Sequence, residues 1–417
     1  MDTKIKNRNT NNSSDNLYKK INDINREKRK EEEKNNVKKR TQNIIIICLI
    51  LIFIGFANFY SAILRFESNI VFNKILKHLL IFSLSVACFL ISSKINFKIF
   101  KARRIRYGFL VLGIFTFLIV AYFPNKDIFP IINGGKGWLR IKGFSLQITE
   151  IFKIAYIIMI SSLLARGKDD DSEIQVGKNA VSIIIYATIF GFLLTFSLKD
   201  LGTAIHYIII TIFLLFLSDL KDKLVWTLVG FGFIFLSSAT FLFYKFGESF
   251  GYKHHRLKIF VDGILENTYD RVEAYQIYQS LVGFGTGGLF GKGYGNGVQK
   301  YSYIPEVETD FAISTFGEEM GLLGMILILI TFFILFILIM NVAENSKSYF
   351  GKYLAAAIGG YFITQTIINI GVAIGLIPVL GIPLPFISSG GSSLLALSIA
   401  MGLVININNS KLKDLEG

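Results

Sequence analysis

Proline is scarce in this 417-residue chain. The six present, Pro124, Pro130, Pro305, Pro378, Pro383 and Pro385, all fall between apolar blocks or at their edges. A proline inside a helix removes a backbone hydrogen bond, so this placement fits blocks that are helices. Cysteine is limited to Cys48 and Cys88, both inside apolar segments. That excludes a disulfide framework and a cysteine metal site, and both are read as small core residues. Of the four histidines, His206 sits in an apolar helix and reads as packed or hydrogen-bonded. The neighbours His254 and His255 are too few to hold zinc. The strict alternation of an outer-membrane barrel is missing. No secretory cleavage signal is visible, because the first apolar segment follows a long polar tail and lacks a small-residue cleavage site.

What is present is apolar. Hydrophobic residues make up 52% of the chain and the mean hydropathy is +0.51. They come in blocks of about 20 residues, the length that spans a bilayer. The expected fold is an all-α polytopic membrane protein with about ten transmembrane helices. These are placed near 43–63, 73–93, 105–123, 149–165, 179–197, 201–218, 223–244, 311–341, 349–375 and 386–406. Residues 1–42 are expected to form a disordered basic tail, 43–408 the membrane domain, and 409–417 a second tail.

Charge sets the orientation. The segment 1–42 holds 13 Lys and Arg against 7 Asp and Glu. In front of a membrane span, such a tail is held on the cytoplasmic side. An even helix count puts both termini inside. The loop 94–106 then falls inside, with Lys94, Lys98, Lys101, Arg103, Arg104 and Arg106, as the rule requires. Segments 124–148, 198–200, 245–310 and 376–385 fall outside. The net charge of +14 is thus no sign of nucleic-acid binding. In a variant with Cys48 and Cys88 replaced, Ser302→Cys should react with an impermeant thiol reagent added to intact cells, and Ser13→Cys should not. Labelling at position 13 from outside would reverse the orientation.

The large outside loop carries the chemistry. Tyr303-Ile304-Pro305-Glu306-Val307-Glu308-Thr309-Asp310-Phe311 packs three carboxylates directly before an apolar run. Acids at a membrane face are costly to keep. Asp310 stands where loop meets helix, and partial desolvation there raises a carboxyl toward the range of a general base. The bland alternative is a solvated loop edge. The same loop holds Lys253, Arg256, Lys258, Arg271, Lys292 and Lys300 on the face that disfavours positive charge. They suit an anionic ligand, a lipid headgroup or a phosphate, or they neutralise Asp262, Glu266, Asp270 and Glu273 nearby. The glycine-rich run 283–297 is not a nucleotide loop. Thr286 and Gly293 stand where the Walker pattern needs Gly and Ser or Thr. It suits either close backbone approach to a phosphate or a tight fold packed into protein.

Five separated motifs together resemble one family. They are Asn133-Gly134-Gly135-Lys136-Gly137-Trp138 with Gln147 to Lys153; Asp200-Leu201-Gly202-Thr203-Ala204; Tyr275-Gln276-Ile277-Tyr278-Gln279-Ser280 with the glycine run; Pro305 to Asp310 with Gly317-Glu318-Glu319; and Asn369 to Val379 with Gly381 to Ser393. Their order and spacing are similar to those of the SEDS proteins (shape, elongation, division and sporulation), the polytopic peptidoglycan glycosyltransferases that include FtsW, RodA and SpoVE. The chain departs from the family pattern at Lys136 and Gly137, where two arginines are usual, at Ile148-Thr149, at Glu308 in place of histidine, and at Ser389 in place of tyrosine.

The resemblance implies polymerisation of lipid II outside the cytoplasmic membrane, with a polyprenyl-diphosphate-linked glycan as the other substrate. It puts the catalytic aspartate on Asp310. Substrate contacts are expected from Trp138, Lys136, Arg140, Glu150, Lys153, Arg271, Gln279, Lys292, Gln299, Glu306, Thr309 and Ser392. Arg271 and Lys292 are the expected cations for the diphosphate. Glu150 and Lys153 equally suit a buried intrahelical pair, Trp138 an interfacial belt, and Asp200 with Thr203 a helix cap. Glu308, if close to Asp310, would favour its protonated form. No cofactor or metal site is implied, and a divalent cation is left open. Gln299-Lys300 and Gly317-Glu318-Glu319 are more similar to FtsW than to RodA. That branch implies a class B penicillin-binding protein as transpeptidase partner, other division proteins as neighbours, and the division septum as location. This chain has no serine–lysine transpeptidase motif of its own. The rival readings are a RodA-like elongation polymerase, a lipid II flippase or transporter, and a non-enzymatic division scaffold.

Overall fold

The structure, a computed structural model, describes residues 2–123, 127–132, 134–141, 144–169, 173–218, 222–250, 252–265, 274–301 and 306–416. Among the described residues twelve α-helices follow one another: α1 (Asp2–Ile63), α2 (Ser68–Lys94), α3 (Arg103–Tyr122), α4 (Ile148–Asp169), α5 (Glu173–Phe192), α6 (Leu201–Phe216), α7 (Asp222–Phe246), α8 (Tyr252–Leu265), α9 (Tyr275–Gly287), α10 (Ala312–Glu344), α11 (Tyr349–Ala373) and α12 (Gly391–Glu416). Among the described residues eight helices are long and apolar enough to cross a membrane; two shorter apolar stretches, Leu201–Phe216 and Val225–Ile234, lie in α6 and α7. Each of the ten apolar segments expected from hydropathy overlaps one of these ten helical stretches, eight of which have the length and composition to span.

Burial sorts them. In α4, α11 and α12, 78%, 83% and 83% of the apolar window is buried within the protein, against 11% in α2 and 22% in α10. The first three form the centre, and the last two turn most of their apolar surface outward, as lipid-facing helices do. Small residues let the central helices approach closely. A Cβ on Gly202 of α6 would run into the Leu380 carbonyl oxygen, and one on Gly360 of α11 into the Phe213 ring.

Three local features differ from the expected layout. The tail is not irregular: α1 runs from Asp2 without a break, and no Gly or Pro occurs before Gly55. Lys28 and Glu32, and Arg29 and Glu33, are opposite charges four residues apart, which supports a helix. This extension packs on α12. Val37 is buried and its carbonyl accepts from Asn408 Nδ2 at 3.0 Å, Arg40 donates to Asn408 Oδ1 at 3.1 Å, and Lys411 pairs with Glu33 at 2.7 Å. The described parts of the two expected tails are therefore one helical pair. Second, the all-α fold carries one short strand pair among the described residues. β1 (Trp138–Ile141) and β2 (Phe144–Gln147) form an antiparallel hairpin with Trp138 opposite Gln147. Third, the last helix begins five residues later than expected, at Gly391. Pro383, Pro385 and Phe386, the last with φ +62°, keep the preceding segment out of helical geometry.

In the loop between α7 and α10 the described residues are built into structure. It contains α8 and α9, and its glycine run packs against a break in α10 at Gly321, whose φ is +66°. A Cβ on Gly291 would meet the Glu319 carbonyl, and one on Gly287 the Gly317 carbonyl. The glycines thus serve close backbone packing, one of the two roles open from the sequence.

Candidate active site

A cleft of about 310 Å³ opens where the hairpin, the N-terminus of α6, α8, the loop before α10 and the segment before α12 converge. Its charged lining residues are Asp200, Arg256, Glu306 and Asp310. Trp138, Gln147, Thr309 and Ser392 supply further walls.

The loop before α10 is pinned on one side and open on the other. Val307 and Phe311 are fully buried and anchor it. Glu306 turns the chain with φ +55°, a conformation that non-glycine residues adopt rarely, and its carbonyl accepts from Thr309 N at 3.0 Å and Phe311 N at 3.3 Å. Three residues hold the backbone from behind. Ser388 Oγ donates to the Thr309 carbonyl at 2.6 Å, Ser389 Oγ to the Glu308 carbonyl at 2.7 Å, and Asn369 Nδ2 to the Asp310 carbonyl at 2.7 Å. With the backbone fixed, Glu306, Thr309 and Asp310 line the cleft. Gly381, with φ +72°, lies against the catalytic-candidate carboxylate: an added Cβ would sit 3.6 Å from Asp310 Oδ2.

Burial, with the Glu306 and Glu150 carboxylates, pushes the Asp310 carboxyl up to about 7, while Arg256 pulls it down. Glu308, expected to be the acid acting on Asp310, is not. It pairs with Lys74 of α2 at 2.6 Å and with Arg65 at 3.3 Å. The neighbouring acid that acts on Asp310 is Glu306.

Asp200 caps α6. Its carboxylate accepts from Thr203 N at 3.3 Å, Thr203 Oγ1 at 2.9 Å, Thr149 Oγ1 at 3.2 Å and Gln147 Nε2 at 3.2 Å. It ties α6 to the hairpin and to α4. Gln147 N in turn donates to Ser392 Oγ at 2.6 Å, which joins the hairpin to α12. Trp138, opposite Gln147, is thereby held on the cleft wall.

Other expected contacts are drawn elsewhere. Glu150 and Lys153 are fully buried, pair at 2.7 Å, and Lys153 Nζ lies 3.1 Å from His206 Nδ1. They form a buried polar cluster rather than a cleft wall, as the pair reading held, and His206 is hydrogen-bonded. Lys136 Nζ donates to the Ala121 carbonyl at 3.1 Å at the end of α3. Arg140 is exposed on the hairpin. Lys292 pairs with Glu318 at 2.6 Å. Gln299 is buried with its N–H donated to Glu318 at 2.9 Å. Gln279 lies on α9, away from the cleft lining. Arg271, Asn133 and residues 302–305 fall outside the described residues. Arg256, by contrast, lines the cleft from α8, a helix with no motif to single it out. Among the described residues no three His, Cys, Asp or Glu side chains come close enough together to hold a metal ion.

A model of the FtsW/RodA/SpoVE family, described as Cell cycle protein, matches residues 41–413. The chain belongs to this family. Similar members are named "Probable peptidoglycan glycosyltransferase FtsW". One from Coxiella burnetii is 34% identical over 346 residues, covering 81% of this chain and 86% of the relative. Another, from Trichlorobacter lovleyi, is 33% identical over 347 residues, covering 82% and 86%. A solved chain from work on the coordination of polymerization and crosslinking by a peptidoglycan synthase complex aligns with a TM-score of 0.69 at 19% identity, covering 89% of this chain and 98% of that one. The rod shape determining protein RodA of Thermus thermophilus aligns at 0.58 and 19%, covering 88% and 96%. At these identities the structures establish the shared fold. In this FtsW/RodA/SpoVE member, four of the five matching motifs contribute residues that line the cleft, and the glycine-run motif packs against α10 around Gly317–Gly321.

Proposed function

We propose that this chain polymerises lipid II into glycan strands on the outer face of the cytoplasmic membrane, as a division glycosyltransferase working with a class B penicillin-binding protein. The observation that carries the proposal is Asp310. It is a half-buried carboxylate, fixed at the mouth of α10 in a cleft that Trp138 also lines, and its carboxyl is pushed up to about 7. A base poised near the working pH is what hydroxyl activation needs. In the step proposed, the 4-hydroxyl oxygen of the incoming lipid II sugar bonds to the anomeric carbon of the growing strand. The hydroxyl proton passes to Asp310. The anomeric carbon–oxygen bond breaks, and its electron pair leaves on the polyprenyl diphosphate. Trp138 offers a flat face for a sugar ring, and Thr309 and Ser392 offer hydroxyls at the walls. The division setting and the transpeptidase partner are inferred from the names of the relatives and from the fold shared with a synthase complex.

A transporter reading draws on the buried Glu150–Lys153–His206 cluster. Those groups lie within the first two turns of α4 and α6, next to the outside loops, and they satisfy one another; a transported headgroup would need them at the midplane.

The test is the pH dependence of lipid II polymerisation by the purified protein. Asp310 must be ionised to accept a proton, so kcat/KM should fall about tenfold per pH unit below about 7 and level off above it. A rate flat from pH 5 to 8 would remove Asp310 as the base.

A further inference from the structure

Glu308 stands two residues before Asp310, yet its side chain leaves the cleft for the outer end of α2. Lys74 Nζ donates to both Glu308 oxygens, at 2.6 and 2.7 Å, and Arg65 Nη2 donates to Oε1 at 3.3 Å. Both cations are anchored in turn. They lie over the Phe66 ring, at 4.2 and 4.6 Å from its centroid, and Arg65 Nη1 donates to the Lys300 carbonyl at 2.9 Å. The Arg65 and Glu308 side chains are 16% and 15% exposed, so water screens this cluster less than a surface pair. The cluster also reaches the cleft wall through α2. Ile81, seven residues after Lys74 and so on the same face of α2, lines the cleft. On its other side Glu308 adjoins a strained turn. Glu306 holds φ +55°, and a residue keeps such a conformation where its surroundings over-determine it. Ser388, Ser389 and Asn369 fix the carbonyls of Thr309, Glu308 and Asp310. The Glu308 carboxylate adds a tie from the same loop to α2 and to the turn after α1. With Glu308 drawn outward, Glu306 and Asp310 face the cleft.

We infer that Glu308, through its ion pairs with Lys74 and Arg65, is a positioning residue that fixes the orientation of Asp310 and Glu306 in the cleft for the proton transfer, an assignment that rests on the glycosyltransferase function proposed above. Glu308 acts through the loop and not on the substrate. Its place in the sequence also departs from the family pattern, where histidine is usual, so this latch belongs to this chain rather than to the shared motif. While the latch holds, the Glu306 turn is kept closed, with Thr309 Oγ1 donating to Glu306 Oε2 at 3.0 Å. Asp310 is faced by Glu306 from its own loop, by Glu150 from α4 and by Arg256 from α8, with Asp200 of the α6 cap in the same cleft. Of these groups, Glu306 shares the loop with Glu308. Burial and the Glu306 carboxylate raise the Asp310 carboxyl. A loop released from α2 lets the Glu306 turn relax and opens Asp310 to water, and both changes lower that carboxyl again. The misplaced base then also meets the sugar hydroxyl less often in a reactive geometry.

The experiment measures the pH profile of lipid II polymerisation, and the thermal unfolding, of the purified full chain. The variants are Glu308→Gln, Lys74→Met, and Glu308→Lys alone and combined with Lys74→Glu. In Glu308→Gln, kcat should fall on the order of tenfold, with KM little changed. Its acid limb should move to lower pH, the direction also expected of Glu306→Gln. Lys74→Met leaves Arg65 on Glu308 and should show smaller changes of the same sign. The charge-reversed pair keeps one carboxylate and two cations in the cluster, so it should recover rate and acid limb relative to Glu308→Lys alone. A purely structural ion pair would lower the unfolding temperature and leave the acid limb in place. An unmoved acid limb in Glu308→Gln, or a folded charge-reversed pair no more active than Glu308→Lys, would overturn the inference. Should Glu308→Gln fail to fold, a wild-type rate and an unmoved limb in Lys74→Met would overturn it alone. Failure of the wild type to polymerise lipid II would instead count against the function itself, so the two outcomes are distinguishable.

Discussion

Asp310→Asn is expected to lower lipid II polymerisation by about 10²–10⁴ while leaving a folded, membrane-inserted protein. The amide keeps the shape of the side chain and cannot take the hydroxyl proton. Folding should survive because the loop is held through its backbone, by Asn369, Ser388 and Ser389, and through the buried Val307 and Phe311, not through the Asp310 carboxylate. A neutral amide also removes a charge whose neighbours Glu306 and Glu150 disfavour it. Binding of lipid II should persist, which separates loss of a base from loss of a binding group. Glu308→Gln should cost much less, since Glu308 points to Lys74 and Arg65. Equal losses at 308 and 310 would mean that the loop, rather than one carboxylate, is what the reaction needs.

Glu319→Ala should produce the largest loss of stability. Glu319 lies in α10 just before the break at Gly321. Its Oε1 accepts from Lys300 Nζ at 2.7 Å, Ser61 Oγ at 2.6 Å and Gly297 N at 3.3 Å, and its Oε2 from Gly295 N at 3.1 Å. Lys300 is fully buried. Removing the carboxylate strands that ammonium, which typically costs about 3–5 kcal/mol. Adding Lys300→Met to Glu319→Ala should recover part of the loss, because the pair is then replaced by apolar groups. The thermal unfolding of the purified single and double variants checks this. A double variant no more stable than the single would mean that Lys300 is not the stranded group.

The transmembrane segments were legible because each is a continuous apolar block, and hydropathy needs no tertiary information. The motif order brought out Asp310, Trp138, Thr309 and Ser392, which do meet at the cleft. What the sequence hid is direction. Glu306 and Glu308 alternate along one loop, and only the placement of Lys74 on α2 and of Arg65 after α1 decides which acid faces away. Lys292 sits in a motif yet pairs with Glu318, across a fold that brings the glycine run onto α10. Arg256 is one of several basic residues on α8, and its place on the cleft wall appears only in the fold. The hairpin carried only a faint local signal, Gly143 between two short runs that each begin with an aromatic residue, Trp138 and Phe144. The extended α1 had one too, in its i,i+4 charge pairs and in the lack of glycine and proline.

The most direct measurement is gel separation of glycan strands made from lipid II by the purified chain. It should be run with the proposed class B penicillin-binding partner, with that protein's transpeptidase blocked by a β-lactam so that only polymerisation is read. A ladder of strands that depends on this chain, and that vanishes with Asp310→Asn, is the predicted result. Lipid II left unpolymerised by the wild-type pair, or a ladder that persists unchanged with Asp310→Asn, would contradict the account.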